Sequence, residues 1–159
     1  MSHLAIIGGS GLTSIKELQF LKREIIRTPF GEPSAPLTYG ILHDQEFVFL
    51  PRHGAAHTIP PHKVNYRANL WALKHIGVEQ VIAVAAVGGI RSDMEPGSLV
   101  VPDQILDYTY ARDHTYFEND LSHVTHIDFT DPYCEPLRQS LLSTGKELGF
   151  DMISNGTYG

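Results

Sequence analysis

The chain holds a single cysteine, Cys134, so no internal disulfide can form and a reducing, cytoplasmic compartment is the expected setting. Basic residues are in deficit: 12 Lys and Arg stand against 18 Asp and Glu, a formal net charge of −6. A surface that grips nucleic acid without regard to sequence needs a basic excess, so no nucleic-acid partner is expected. Long apolar runs are missing too. The longest, residues 81–90, is too short to span a bilayer, so no membrane partner is expected either. The first twelve residues have no basic flank ahead of a long apolar stretch and do not read as a secretion signal. Internal repeats, low-complexity tracts and linkers are absent as well. What is present, 42% hydrophobic and 19% charged residues over 159 positions, suits one soluble globular domain long enough to bury a core.

Strand and helix signals alternate along this chain. Leu4–Ile7 reads as a short buried strand that breaks into the glycine turn "GGSG". Leu37–Leu42 and Phe47–Leu50 are apolar runs on either side of "HDQE", which predicts a hairpin. The second run ends at Pro51, so Arg52 and His53 should stand at a strand's carboxyl end, the edge at which α/β sheets bind ligands. Residues 65–76 should form a helix, because Tyr66, Leu70, Leu73 and Ile76 recur at helical spacing and Gly77 is a suitable stop. "QVIAVAAVGGI" reads as a central buried strand running into Gly88 and Gly89, and "EPGSLVVP" as a turn and a further strand. Residues 111–132 make a long polar segment, a kind that is usually functional or interfacial inside compact domains. Pro136 suits the first turn of a helix that carries Leu137, Leu141, Leu142 and Leu148 and stops at Gly149. "MISNGTYG" then reads as the start of another strand. The alternation predicts an α/β fold, and the hairpin makes its central sheet mixed, with helices flanking it.

Three stretches carry chemistry. The turn after the first strand fails the dinucleotide fingerprint: Ser14 stands where a third glycine should follow Gly9 and Gly11. It also lacks the Gly-Lys-Ser/Thr of a phosphate-binding P-loop. What is left is a tight turn whose backbone N–H groups, with the Ser10 hydroxyl beside them, either seat an anion or simply turn the chain. In "RHGAAHTIPPH", His53, His57 and His62 raise the thought of a metal. Gly54 and the pair Pro60-Pro61 oppose the helix that would put two rings on one face, and no Cys, Asp or Glu completes a ligand set. No metal is therefore expected. Arg52 offers a planar fork suited to phosphate oxygens and His53 a further donor, though a solvated polar loop is the plainer alternative. His114, His123 and His126 lie in the polar segment, where surface histidines are common.

Taken in order, "IIGGSGL", "TPFGEPSAPL", "RHGAAHTIPPHKVNYRANLWALKHIGVEQVI", "AVGGIRSDMEPGSLVVPDQILDYT" and "HIDFTDPYCEPLR" resemble the purine nucleoside phosphorylase family, in its methylthioadenosine phosphorylase branch. The wording "HTYF" and "HVTHIDF" is most similar to the bacterial S-methyl-5′-thioinosine phosphorylases. The resemblance implies a nucleoside phosphorylase-like fold forming a single domain over residues 1–159. It implies phosphorolysis of 5′-methylthio purine nucleosides, with inorganic phosphate as co-substrate and no metal or organic cofactor. Phosphate would be enclosed by Gly9 and Ser10, by Arg52 and His53, and by Ala85 and Ala86. His57 would lie near the phosphate and ribose end, Gly88 beside the base, and His126 would reach into a neighbouring subunit and pack on the 5′-methylthio group. The last of these implies a homo-oligomer, usually a trimer.

The chain departs from the family pattern in three places. Ala85 replaces a threonine whose hydroxyl touches phosphate, and Ser10 replaces a threonine while keeping the hydroxyl. Family chains also continue past the segment that "NGTYG" matches. The C-terminal part of the fold, with the residue that protonates the leaving purine, is therefore expected beyond Gly159, and no catalytic residue is assigned here. The readings that stay open are a fragment or one piece of a cleaved enzyme, a non-catalytic piece that keeps the phosphate and oligomer surfaces, and a general purine nucleoside phosphorylase.

Overall fold

The computed structural model describes residues 4–9, 19–119 and 121–159. The chain forms two compact units: Met1–Ala86 with Arg112–Glu118, and Val87–Ala111 with Asn119–Gly159.

The first unit is built on a five-stranded sheet. Its strands are β1 (Leu4–Gly8), β2 (Gln19–Glu24), β3 (Leu37–Leu42), β4 (Gln45–Pro51) and β5 (Gln80–Ala83), in the order β2-β3-β4-β1-β5. The first three in that order run antiparallel, whereas β4, β1 and β5 are parallel, so the sheet is mixed as expected. The hairpin between β3 and β4 turns on His43 and Asp44, both left-handed with φ of 48° and 62°. A two-residue turn with two positive φ angles matches the twist of the strands it joins, and a short polar residue such as Asp tolerates it. Alternate residues of β1 (Ala5, Ile7) and β4 (Val48, Leu50) form one buried layer with Leu37. The other side of β4 buries Phe47 and Phe49, so this strand is covered on both faces.

Helix α1 (Tyr66–His75) covers the layer with Ala72 and Leu73. Asn65 caps it, accepting a hydrogen bond from the Ala68 N–H at 3.0 Å, and Gly77 follows with φ +88°. Asn69 is the one buried polar residue among those described: its Oδ1 accepts from Ser34 N at 2.7 Å, and its Nδ2 donates to Ser34 Oγ at 2.9 Å. Asn65 Nδ2 likewise donates to the Phe30 carbonyl at 2.7 Å. The first turn of α1 thus pins the loop that leads into β3.

One expectation is corrected here. The run from Gln80 to Ile90 is not a central buried strand. Only Gln80–Ala83 is extended, it sits at the sheet edge, and residues 83–90 are exposed. Its sequence is apolar enough for burial on both faces, but β1 is its sole partner among the described residues.

The second unit holds two parallel pairs of two-residue strands. β6 (Leu99–Val100) pairs with β8 (Met152–Ile153), and β7 (Gln104–Ile105) with β9 (Thr157–Tyr158). The closing segment is therefore two strands, not one. Between them the Asp103 carboxylate accepts the Gly156 N–H at 2.9 Å and Gly156 adopts φ +149°, which interrupts the ladder. Helix α2 (Glu135–Glu147) starts with a proline in its first turn and ends before Gly149, matching the expected limits. Gly145 is its one buried residue, and a Cβ there would overlap the Met152 sulfur, so the Met152 side chain lies against bare helix backbone at this point. Residues 106–134 contain no helix or strand among those described. No described helix is long and apolar enough to cross a membrane.

Candidate anion site at the strand ends

Strand register dictates what meets at the site. Gly8 of β1 pairs with Pro51 of β4, and Ile7 with Ala83 of β5, so three parallel strands end level with one another. The next residues, Gly9, Arg52 and Val84, leave the sheet at the same edge. Two backbone hydrogen bonds carry the ladder one step further, from Arg52 N to the Gly8 carbonyl at 2.9 Å and from Val84 N to the Ile7 carbonyl at 2.8 Å. Carboxyl ends of parallel strands are where α/β sheets leave a crevice for ligands.

Arg52 lies across this edge. Its Nη1 donates to the Val84 carbonyl at 3.2 Å, and its Nε donates to His53 Nε2 at 3.3 Å. Its Nη2 lies 3.9 Å from the point a Cβ on Gly9 would occupy. The fork is thereby held between the end of β5 and the turn after β1. His53 is anchored through Nδ1 to the Ile59 carbonyl at 2.8 Å, and the Ile59 N–H returns a bond to the His53 carbonyl at 3.0 Å. Gly54 makes this loop possible. It sits at φ +81°, and a Cβ there would crowd Ile59 at 3.3 Å.

Of the expected site residues, the structure brings Gly9, Arg52 and His53 together. Ala85 and Ala86 follow Val84 directly and are exposed. His57 is exposed, left-handed at φ 53°, and its ring meets that of His53 edge-on with centroids 5.0 Å apart. Ser10 lies outside the described residues. Gly88 and His126 belong to the second unit, where both are exposed and nothing lies within 4 Å of a Cβ built on Gly88. Among the described residues no group of three His, Cys, Asp or Glu is disposed to hold a metal.

Two features were not anticipated. The carbonyls of Ile59 and Val84 orient the site's side chains, and backbone atoms leave no mark in residue identity. Arg67 was missed as well. From the first turn of α1 it pairs with Asp113 at 2.8 Å and with Glu118, donates to the Thr115 carbonyl at 3.2 Å, and lies over the Phe30 ring at 5.2 Å. The Tyr116 hydroxyl donates to the Arg67 carbonyl at 2.7 Å, and its ring packs edge-on against Phe30. The hydrogen bond to Glu118, reinforced by Asp113, holds the Arg67 guanidinium above its ordinary basicity. Residues 112–118, expected in a polar loop, are thus fastened to the first unit.

The Phosphorylase superfamily matches residues 3–159. The chain belongs to that superfamily. It is 52% identical over 157 residues to the S-methyl-5′-thioadenosine phosphorylase of Hyperthermus butylicus, covering 99% of this chain and 57% of that one. The 6-oxopurine nucleoside phosphorylase of Pyrococcus furiosus is 43% identical over 163 residues, with 99% of this chain and 60% of the relative covered. Methylthioadenosine phosphorylase from Schistosoma mansoni, solved in complex with tubercidin, superposes with a TM-score of 0.91 at 34% identity, over 99% of this chain and 63% of that one. The mixed sheet with its helices is therefore the nucleoside phosphorylase fold of the superfamily. The chain spans between 57% and 60% of the two curated relatives' lengths.

Proposed function

We propose that the protein containing this chain catalyses phosphorolysis of 5′-methylthio purine nucleosides, methylthioinosine or methylthioadenosine. A phosphate oxygen attacks the anomeric carbon of the ribosyl ring, the bond from that carbon to the purine nitrogen breaks, and free purine and 5-methylthioribose 1-phosphate leave. The observation that carries this reading is the convergence of Gly9, Arg52 and His53 at the ends of three parallel strands. The names of the relatives supply the substrate class.

The transition state develops positive charge on the sugar. A phosphate held beneath the ring is both the nucleophile and the charge that stabilises it, so catalysis is mainly positioning and fixed electrostatics. Arg52 and His53 would hold the phosphate, with the Gly9–Ser10 turn and the Ala85–Ala86 backbone around it. His57 and Gly88 would face the nucleoside. The transfer changes no oxidation state, so no redox cofactor enters its balance, and phosphate is the only co-substrate proposed.

Residues 1–159 would form one domain of the phosphorylase, both units included. A homo-oligomer, a trimer by the family pattern, is proposed with His126 directed to a neighbouring subunit. Leu121, Val124, Ile127 and Phe129, close to it in sequence and each exposed, support an interface, because exposed large apolar side chains gathered in one segment suit a contact. The free, exposed thiol of Cys134 supports a reducing, cytoplasmic setting.

The test is purine release by the complete protein from methylthioinosine, methylthioadenosine and inosine, with and without phosphate. Phosphate-dependent release, fastest from a methylthio substrate, is expected. Inosine as the best substrate would favour a general purine nucleoside phosphorylase, and no phosphate-dependent release from any of the three would overturn the reading.

A further inference from the structure

The hydrogen-bond partners of His53 fix its protonation. A carbonyl oxygen only accepts, so the 2.8 Å contact with Ile59 places a hydrogen on Nδ1. An arginine Nε only donates, so the 3.3 Å contact from Arg52 requires a bare lone pair on Nε2. The ring is thus the neutral tautomer with its hydrogen on Nδ1, and its remaining nitrogen is already used. In this state His53 has no N–H to offer an anion. Arg52 is similarly committed: Nη1 is on the Val84 carbonyl and Nε is on His53. Among the described residues only the Nη2 side, beside Gly9, is left. The arginine and histidine that were expected to hold phosphate hold each other.

We infer that phosphate binds here by replacing the Arg52–His53 hydrogen bond and that one proton is placed between His53 Nε2 and a phosphate oxygen. This rests on the proposal that the strand ends seat phosphate. Opening the bond frees Nε, which together with Nη2 forms the side-on fork that suits two oxygens of a phosphate. Nη1 stays on the Val84 carbonyl, so the guanidinium pivots without leaving the edge. On the histidine side, a bare Nε2 facing a phosphate oxygen would set two lone pairs against each other. Binding therefore needs a proton there. Either the imidazole takes it from solvent as dibasic phosphate enters, or monobasic phosphate brings it. The complex has the same composition by both routes, imidazole plus one proton plus dibasic phosphate. The titratable or charged groups that the described contacts set against the ring are Arg52 and, edge-on at 5.0 Å, His57.

The experiment is calorimetric titration of inorganic phosphate into the complete protein at several alkaline pH values, each in two buffers of different ionisation enthalpy. About one proton should be taken up per phosphate bound, and affinity should fall about tenfold per pH unit. Sulfate carries no proton in this range, so uptake on sulfate binding should equal that on phosphate if the imidazole is the acceptor. His53→Gln keeps an N–H for the anion but cannot take a proton, and should bind phosphate with the pH slope gone. His57→Asn should keep the slope. Phosphate binding with no proton uptake and a flat pH profile would overturn the inference while leaving the phosphate site standing, as would a slope that vanishes in His57→Asn and survives in His53→Gln. Failure of phosphate to bind at any pH would overturn the site and the inference together.

Discussion

Replacing Arg52 by alanine isolates the anion site from the fold around it. Among the described residues the guanidinium makes two neutral-acceptor bonds, to Val84 O at 3.2 Å and to His53 Nε2 at 3.3 Å. Both are long, and such bonds contribute about 0.5–1.5 kcal/mol net at most. The change should therefore cost the fold little. On the proposed role, the same group would make charge-assisted, forked contacts to phosphate worth roughly 1.5–3 kcal/mol. Each 1.36 kcal/mol is tenfold, so Kd for phosphate should rise by roughly 10- to 150-fold. Arg52→Lys keeps the charge but cannot hold the Val84 carbonyl and two phosphate oxygens at once, so its loss should fall between wild type and alanine. Calorimetric titration of the complete protein measures Kd, and circular dichroism melting confirms that each variant is folded. A folded Arg52→Ala protein that binds phosphate within about twofold of wild type would show that the strand ends do not seat it through this residue.

Asn69→Ala should lower stability by about 1 kcal/mol, because the half-buried Ser34 N–H and Ser34 hydroxyl lose their partner on the buried Asn69 side chain; an unchanged urea midpoint would contradict this. Gly145→Ala should cost about 1 kcal/mol or less, because the overlapped Met152 sulfur belongs to a flexible, half-buried side chain that can move aside; a larger loss in thermal melts would contradict this. Tyr39 should ionise late: burial, then its hydrogen bond to Glu24, push its hydroxyl up to about 12 from the usual 10. The folded state holds that proton more tightly than the unfolded one, so the stabilisation is present below pH 10 and lost as pH rises through about 12. Ultraviolet titration of wild type against Tyr39→Phe checks it. Arg67→Ala should loosen residues 112–118, seen as faster amide exchange there with α1 unchanged, since its ion pairs are lost while the Tyr116 contacts to the Arg67 carbonyl and to Phe30 remain.

Where a local signal decides the local structure, the sequence is readable. His43 and Asp44 tolerate the left-handed turn, and apolar runs of strand length flank it, so the β3–β4 hairpin follows. Asn65 caps α1 and Gly77 stops it, so its limits fall within a residue of the expected ones. Pro51 ends β4, and residue identity alone therefore assigns Arg52 and His53 to the carboxyl edge. Burial of β5 was misjudged because an apolar run states what a strand tolerates, while what covers it is set by its neighbours. The Arg67 clasp joins residues 46 to 51 positions apart, and no local periodicity encodes such a pairing.

The site itself divides along the same line. Residue types name the donors, because a planar fork and an imidazole at a strand end have a restricted set of uses. Their state, however, is set by two carbonyls. Ile59 O decides which nitrogen of His53 carries the hydrogen, and Val84 O decides which edge of Arg52 is left to turn toward Gly9. Any residue can present a carbonyl, so the identity of the side chain at either position carries no information about this role. Sequence patterns therefore find the groups that could meet an anion, while the path of the main chain past the strand ends determines whether those groups wait with a free N–H or, as here, satisfied by one another.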